Sequence, residues 1–207
     1  MNSLLPLVYL VDDDAAVRQS LSLLLSTVGM PVQAYADPES FLSEFDPDRV
    51  GAILLDIRMP GVSGMTVLDK LAARHATQPV IVLTGHGTVD LCRRAFKSGA
   101  TEFLQKPIDD EVLIDTLQQC LKTHVLQRTR NHTEREARER YSRLSARERE
   151  VLGMVIEGLT NREIGRALDL SPRTVEVHRA RLAEKLETET LAHLIRQYAP
   201  LVESDHT

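Results

Sequence analysis

Four short extended runs in the first half of the chain each end directly on a chemically active side chain. Residues 8–11 lead into Asp12-Asp13, residues 52–55 into Asp56, residues 80–83 into Thr84, and residues 103–105 into Lys106. Runs this short and this apolar, separated by stretches of helical periodicity, suit strands of a buried parallel sheet. A crossover helix after each strand leaves no other strand direction. In open α/β sheets, ligand chemistry gathers beyond the carboxyl ends of the strands, near the point where strand order reverses. The chain is therefore expected to bring three carboxylates, a hydroxyl and an ammonium into one pocket.

Converging carboxylates repel one another, so such a pocket suits a hard divalent cation with oxygen ligands. Mg2+ fits best because it keeps several waters and uses few protein carboxylates, with Mn2+ as the alternative. A carboxylate beside that ion can act as a nucleophile toward a phosphoryl group, forming an aspartyl phosphate. The Thr84 hydroxyl and Lys106 ammonium would bind the phosphoryl oxygens. Asp56 is the expected nucleophile, since it ends the central strand while Asp12 and Asp13 end its neighbour. The plainer account is that these Asp residues merely cap helices, which isolated strand-end Asp residues commonly do.

At these positions the chain resembles response-regulator receiver domains, in VDDD (11–14), LLDIRMPGVSG (54–64), VLTGHG (82–87) and FLQKP (103–107). The resemblance spans about the first 120 residues and implies a doubly wound five-stranded parallel sheet of the CheY type. It implies that Asp56 accepts phosphoryl from a sensor histidine kinase. Asp12, Asp13, Asp56 and the backbone carbonyl of Arg58 would hold the metal. Thr84 and Phe103 match the pair that moves together on phosphorylation, and Gly85 leaves room for the phosphoryl group. Lys106-Pro107 matches a peptide bond that is usually cis. Arg58 and His86 occupy places that tune self-dephosphorylation, and a bulky cationic Arg58 implies a slow to intermediate rate.

Caps and breakers divide the rest. A first helix is expected over 15–27 with Leu21, Leu24, Leu25 and Val28 on its core face. Asp37-Pro38 opens a second, and 64–74, 88–98 and 109–121 make three more. Residues 121–143 contain no glycine or proline and many interleaved Glu and Arg. They read as an exposed helix continuing the fifth, with Glu134–Arg138 and Glu136–Arg140 as i,i+4 pairs. Leu117, Leu121 and Val125 suggest a short heptad-like seam, and a flexible linker is the competing reading. The expected division is thus 1–121, a helical linker over 122–142, and 143–207.

The last segment carries two capping boxes, at Ser145–Glu148 and Thr160–Glu163. The helix after the first would bury Val151, Leu152 and Val155. The helix after the second would turn Ile164, Ala167 and Leu168 inward. A tight turn follows, and Ser171-Pro172 starts a longer helix. Short helix, turn, longer helix is the pattern of DNA-binding helix-turn-helix units. Val175, Leu182 and Leu186 share one stripe of the longer helix, which leaves Arg173, Glu176, Val177, Ala180 and Glu184 opposite.

Residues 144–186 resemble the LuxR-type DNA-binding domain, a four-helix unit, and the two resemblances together identify a member of the NarL/FixJ family, closest to its FixJ branch. Carried over by position, Glu176, Val177 and Ala180 occupy base-reading places. Arg173, Thr174, Arg179, Arg181 and Lys185 lie where phosphates or groove edges can be reached. His178 is a packing or phosphate-contact residue. A carboxylate at 176, where many relatives have lysine, can accept from cytosine and repels phosphate, adding specificity rather than affinity. A following helix over 190–198, presenting Leu191, Leu194, Ile195 and Tyr198, would pair two domains on a two-fold site. Promoter DNA, RNA polymerase and a phosphorylation-dependent second copy are the implied partners.

Charge agrees with this division. Residues 1–120 carry 9 Lys+Arg and 16 Asp+Glu, net −7, whereas 121–207 carry 16 and 14, net +2. No apolar run of about 18 residues exists to span a membrane. Cys92 and Cys120 lack metal-ligand spacing, as expected of reduced thiols in a cytoplasmic protein. Three rival functions remain. An acid–metal phosphatase would leave the helix-turn-helix unexplained, and a ligand-sensing quorum regulator would need an apolar cavity. A phosphorylation-independent regulator, using its receiver as a docking module, is the strongest of them.

Overall fold

The computed structural model describes residues 5–205 except His86. Five strands and five helices alternate through the first part. They are β1 (Leu7–Val11), α1 (Ala15–Thr27), β2 (Val32–Tyr35), α2 (Pro38–Glu44), β3 (Gly51–Asp56), α3 (Gly64–Ala73), β4 (Val80–Thr84), α4 (Val89–Lys97), β5 (Glu102–Gln105) and α5 (Asp110–Ser142). All pairings are parallel, in the order β2-β1-β3-β4-β5. Strand order reverses between β1 and β3, so the crevice beyond their carboxyl ends is where a ligand site belongs.

Alternation along each strand sorts the core into two layers. Val8, Leu10, Leu54, Ile81 and Leu83 pack with Leu21 and Leu25 of α1 and Leu113 and Leu117 of α5. Tyr9, Val11, Ile53, Leu55 and Val82 face the other way, toward Phe41 of α2, Leu68 of α3 and Ala95 of α4. Tyr9 meets Phe41 and Phe45 edge-on at 5.7 and 5.4 Å. Central β3 and β4 are buried at every residue, which is why they read as unbroken apolar runs. The strand β2, with two exposed residues of four, gives no such signal.

Local chemistry explains the helix ends. The Asp14 carboxylate accepts from the amides of Ala16 and Val17 to open α1. Asp37, Ser63 and Thr88 cap α2, α3 and α4 in the same way. Val28 lies at the C-cap of α1 and is exposed, not part of the core face, because the helix has already ended at Thr27.

Contacts divide the chain into two compact units, 1–127 and 128–207. Helix α5 is unbroken over 33 residues and contributes to both. Leu117 and Leu121 are spent on the sheet core, whereas Val125 is exposed, so no heptad seam runs through them. The ion pairs on its exposed stretch run in the reverse order to that expected. Arg130 binds Glu134 at 2.8 Å and Arg135 binds Glu139 at 3.1 Å. Arg140 instead reaches Glu187 at 2.8 Å.

The second unit adds α6 (Ala146–Ile156), α7 (Asn161–Leu168), α8 (Pro172–Leu186) and α9 (Leu191–Asp205). Both capping boxes form. Its core joins Ala137 and Tyr141 of α5 to Val151, Leu152, Ile164, Val175, Leu182 and Tyr198. Ala167 is exposed, contrary to expectation. Its neighbour Gly165 faces inward, so close to the α7–α8 turn that a Cβ there would lie 2.7 Å from the Leu170 carbonyl oxygen. Leu194 and Tyr198 of α9 are likewise buried within their own unit, with Tyr198 Oη donating to the Leu186 carbonyl at 3.0 Å. Of the four residues expected to pair two copies, Leu194 and Tyr198 thus close one copy's own core, Ile195 packs partly against it, and Leu191 is exposed.

Candidate phosphoacceptor pocket and DNA-facing helix

Strand register assembles the first site. Val11 pairs with Leu55, so Asp12, Asp13 and Asp56 emerge side by side, and one carboxylate oxygen from each lies within 4.8 Å of the others. From the opposite side, β4 pairs with β5, and the Lys106 amide donates to the Thr84 carbonyl at 2.7 Å. That places Lys106 Nζ 2.6 Å from Asp12 Oδ2 and 3.5 Å from Asp56 Oδ1. The Lys106–Pro107 peptide bond is cis.

The three carboxylates have different freedom. Asp12 is wholly buried, and its Oδ1 accepts from the Asp14 amide while Oδ2 takes Lys106. Its backbone carbonyl accepts from Arg18 Nη1 at 2.7 Å, a tether that no sequence motif announced. Asp13 is exposed to solvent. Asp56 is buried at the floor of the crevice, and burial pushes its carboxyl pKa up, opposed in part by Lys106. Burial lowers and Asp12 raises the Lys106 pKa, with a net upward shift that keeps it cationic at neutral pH. An all-oxygen anionic donor set, open to water through Asp13, fits a hard divalent ion such as Mg2+.

Thr84 is wholly buried at the end of β4, and Phe103 is half-buried on β5. A Cβ at Gly87 would lie 2.9 Å from the Phe103 ring, so the loop after Thr84 and that ring pack directly on each other. A Cβ at Gly85 would meet nothing within 4 Å, leaving that approach open. Gly64 starts α3 so close to β3 that a Cβ would press on the Asp56 carbonyl oxygen. Arg58 is exposed beside the pocket. His86 lies outside the described residues.

The second site is the outer face of α8. Arg173, Thr174, Glu176, Val177, Ala180, Arg181 and Glu184 are exposed, while Val175, Leu182 and Leu186 are buried. Two cations expected to reach DNA have partners within the protein. Arg179 Nη1 donates to Asn161 Oδ1 at 3.0 Å, joining α8 to the start of α7. Lys185 Nζ lies 2.7 and 2.8 Å from the two oxygens of Glu148, the acidic member of the first capping box. His178 is half-buried, and its Nδ1 is enclosed without a hydrogen bond, which places the ring in the packing. The α8 C-cap residue Glu187 takes a left-handed conformation at φ 51°.

Comparison with known proteins places a family domain over each of the two regions. Residues 8–118 match the response regulator receiver domain, and 142–198 match the bacterial regulatory proteins of the luxR family. The transcriptional regulatory protein FixJ of Azorhizobium caulinodans is 42% identical over 91% of this chain and 90% of its own. The tetrathionate response regulatory protein TtrR of Salmonella typhimurium is 38% identical over 92% and 91%. Among solved structures, the response regulator StyR superposes with a TM-score of 0.84 at 35% identity, covering 95% of this chain and all of the other. Full-length FixJ from B. japonicum gives 0.59 at 34%, covering 94% and 96%.

Proposed function

The chain belongs to the two-component response regulators that join a receiver domain to a LuxR-type DNA-binding domain, and from that premise we propose that Asp56 is its phosphoryl acceptor and α8 its operator-reading helix. The observation that carries the reading is Lys106 Nζ poised between Asp12 and Asp56, 2.6 and 3.5 Å away. An Asp56 oxygen attacks the phosphorus of a phosphohistidine on a sensor kinase, the P–N bond breaks, and the imidazole leaves. Lys106 and the Thr84 hydroxyl receive the phosphoryl oxygens. Mg2+, or Mn2+ in its place, would be held by Asp12, Asp13, Asp56 and the Arg58 backbone carbonyl, and supplies further neutralisation of those oxygens. The chain's own chemistry ends at phosphorylation and dephosphorylation of Asp56. Arg58 shields the path of attacking water, so Arg58→Asn should speed dephosphorylation.

Phosphorylation adds a charge of about −1 to −2 and several acceptor oxygens at Asp56. Thr84 moves toward them, Phe103 turns inward, and the face formed by α4, β5 and α5 becomes a homodimer surface. Two DNA-binding domains then meet a two-fold promoter site, where RNA polymerase is engaged in the cytoplasm. Residues 1–121 receive the signal, 122–142 transmit it, and 143–207 read DNA. Taking such a switch from 1:99 to 99:1 needs about 5.5 kcal/mol of differential stabilisation.

The test is dimerisation and promoter binding with Mg2+, with and without beryllofluoride, on wild type and Asp56→Ala. A response confined to wild type supports the switch. Equal DNA binding by both proteins under every condition would leave the receiver a docking module.

A further inference from the structure

The three carboxylates of the phosphoacceptor pocket are not held alike. Asp56 is placed by the pairing of β3 with β4, as the last residue of its strand. Both oxygens of Asp12 are engaged, Oδ1 by the Asp14 amide at 3.0 Å and Oδ2 by Lys106 at 2.6 Å. Asp13 is exposed, and among the described residues its side chain has neither a hydrogen bond nor an ion pair. The place of its carboxylate is therefore set by the backbone that carries it.

Both peptide groups flanking Asp13 are held. The one that follows it donates through the Asp14 amide to Asp12 Oδ1. The one that precedes it accepts through the Asp12 carbonyl from Arg18 Nη1 at 2.7 Å. Among the described residues no other donor reaches that carbonyl. Arg18 stands on the first turn of α1, whose start is fixed by the Asp14 carboxylate through the amides of Ala16 and Val17. A half-buried guanidinium thus reaches back from an anchored helix end to the end of β1.

We propose that Arg18 is a positioning residue for the divalent-ion site, its bond to the Asp12 carbonyl fixing the peptide plane that sets where the Asp13 carboxylate stands. The proposal rests on the phosphoacceptor reading above. Ligand groups held in place beforehand need no ordering when the ion arrives. Loss of a bond that supports a metal ligand weakens metal affinity by about ten- to a hundredfold. Charge alone would act the other way, since removing a cation near a divalent ion removes repulsion and tightens binding. The direction of the change separates positioning from electrostatics.

The test follows the melting temperature of the full chain against Mg2+ concentration, which yields the dissociation constant by linkage. Wild type, Arg18→Met and Arg18→Lys are compared, and circular dichroism verifies that each folds. Methionine keeps the apolar stem and loses every donor. Lysine keeps a single donor, and supplies the second variant should Arg18→Met fail to fold. Arg18→Met should bind Mg2+ about tenfold or more weakly, with Arg18→Lys between it and wild type. Phosphorylation of Asp56 by acetyl phosphate should shift to correspondingly higher Mg2+ concentrations. A purely structural tie would lower the metal-free melting temperature and leave the dissociation constant unchanged. Folded variants that bind Mg2+ as tightly as wild type, or tighter, would overturn the inference and leave the phosphoacceptor reading standing. A wild type that neither binds Mg2+ nor gains an acyl phosphate at Asp56 would remove both.

Discussion

Replacing Glu148 should loosen α8, the helix proposed to read DNA, without altering any residue of its exposed face. This carboxylate is 8% exposed and closes two structures together. Its Oε2 accepts from the Ser145 amide at 2.8 Å and hydroxyl at 3.0 Å, while Lys185 of α8 contacts both of its oxygens. The Lys185 bond, opposed by burial and assisted by Ser145, holds its pKa down to about 2. Loss of the capping interaction costs about 1 kcal/mol. The ion pair adds about 1 kcal/mol more, kept small because Lys185 is 44% exposed and screened. Glu148→Ala should therefore cost about 2 kcal/mol, and Glu148→Gln, which keeps an acceptor for Ser145, about half of that. The sign with pH follows from the depressed value. The contribution is complete above about pH 4.5, the ordinary glutamate range, and disappears as pH falls toward about 2. Urea denaturation of the full chain gives the magnitude, and native-state hydrogen exchange of α8 amides localises it. A loss below about 0.5 kcal/mol for Glu148→Ala, with unchanged α8 exchange, would refute the reasoning.

Lys106→Met should destabilise the metal-free protein by about 3 kcal/mol, since Asp12 and Asp56 stay buried without the ammonium between them, and millimolar Mg2+ should recover much of it; identical melting of both proteins with and without Mg2+ would contradict this. Gly165→Ala should cost about 1–3 kcal/mol, because its Cβ would press the Leu170 carbonyl at 2.7 Å, and promoter affinity should fall with it. An unchanged denaturation midpoint would show that the turn relaxes freely. Tyr198→Phe should cost about 1–2 kcal/mol by leaving the buried Leu186 carbonyl unpaired, measurable by the same urea titration.

The first site was largely legible because its chemistry follows strand ends. A short run that is apolar at every position suits a strand buried on both faces, and the residue after it emerges at the carboxyl edge of the sheet. Asp12, Asp56 and Thr84 could be placed on that ground, whereas Lys106 follows Phe103-Leu104-Gln105, on a strand exposed at both ends. The second strand was not located, since Val32–Tyr35 lies at the sheet edge and exposes two of its four residues. Arg18 was missed because its role is a bond from a helix to a backbone carbonyl, which no residue pattern encodes.

Helical periodicity was less reliable, because it shows that a stripe is apolar without saying what covers it. Leu194 and Tyr198 offered the same pattern whether they met a second copy or their own core, and only packing assigned them to the core. Gly165 carries no hydrophobic signal at all, yet the turn before α8 closes over it. Arg179 and Lys185 are cations on a DNA-facing helix by sequence, and internal anchors by structure.

The sequence by itself determined the alternation of strand and helix, the positions of the caps, and the identity of the groups at the sheet's carboxyl edge, all of which depend on neighbours within a few residues. Tertiary structure alone decided which acidic group is pinned and which is free, which cations on α8 remain for a partner, and which apolar stripes are already spent. Those outcomes depend on distances between residues far apart in the chain, such as Asp12 and Lys106 or Glu148 and Lys185, and close packing settles them only once both elements are in place.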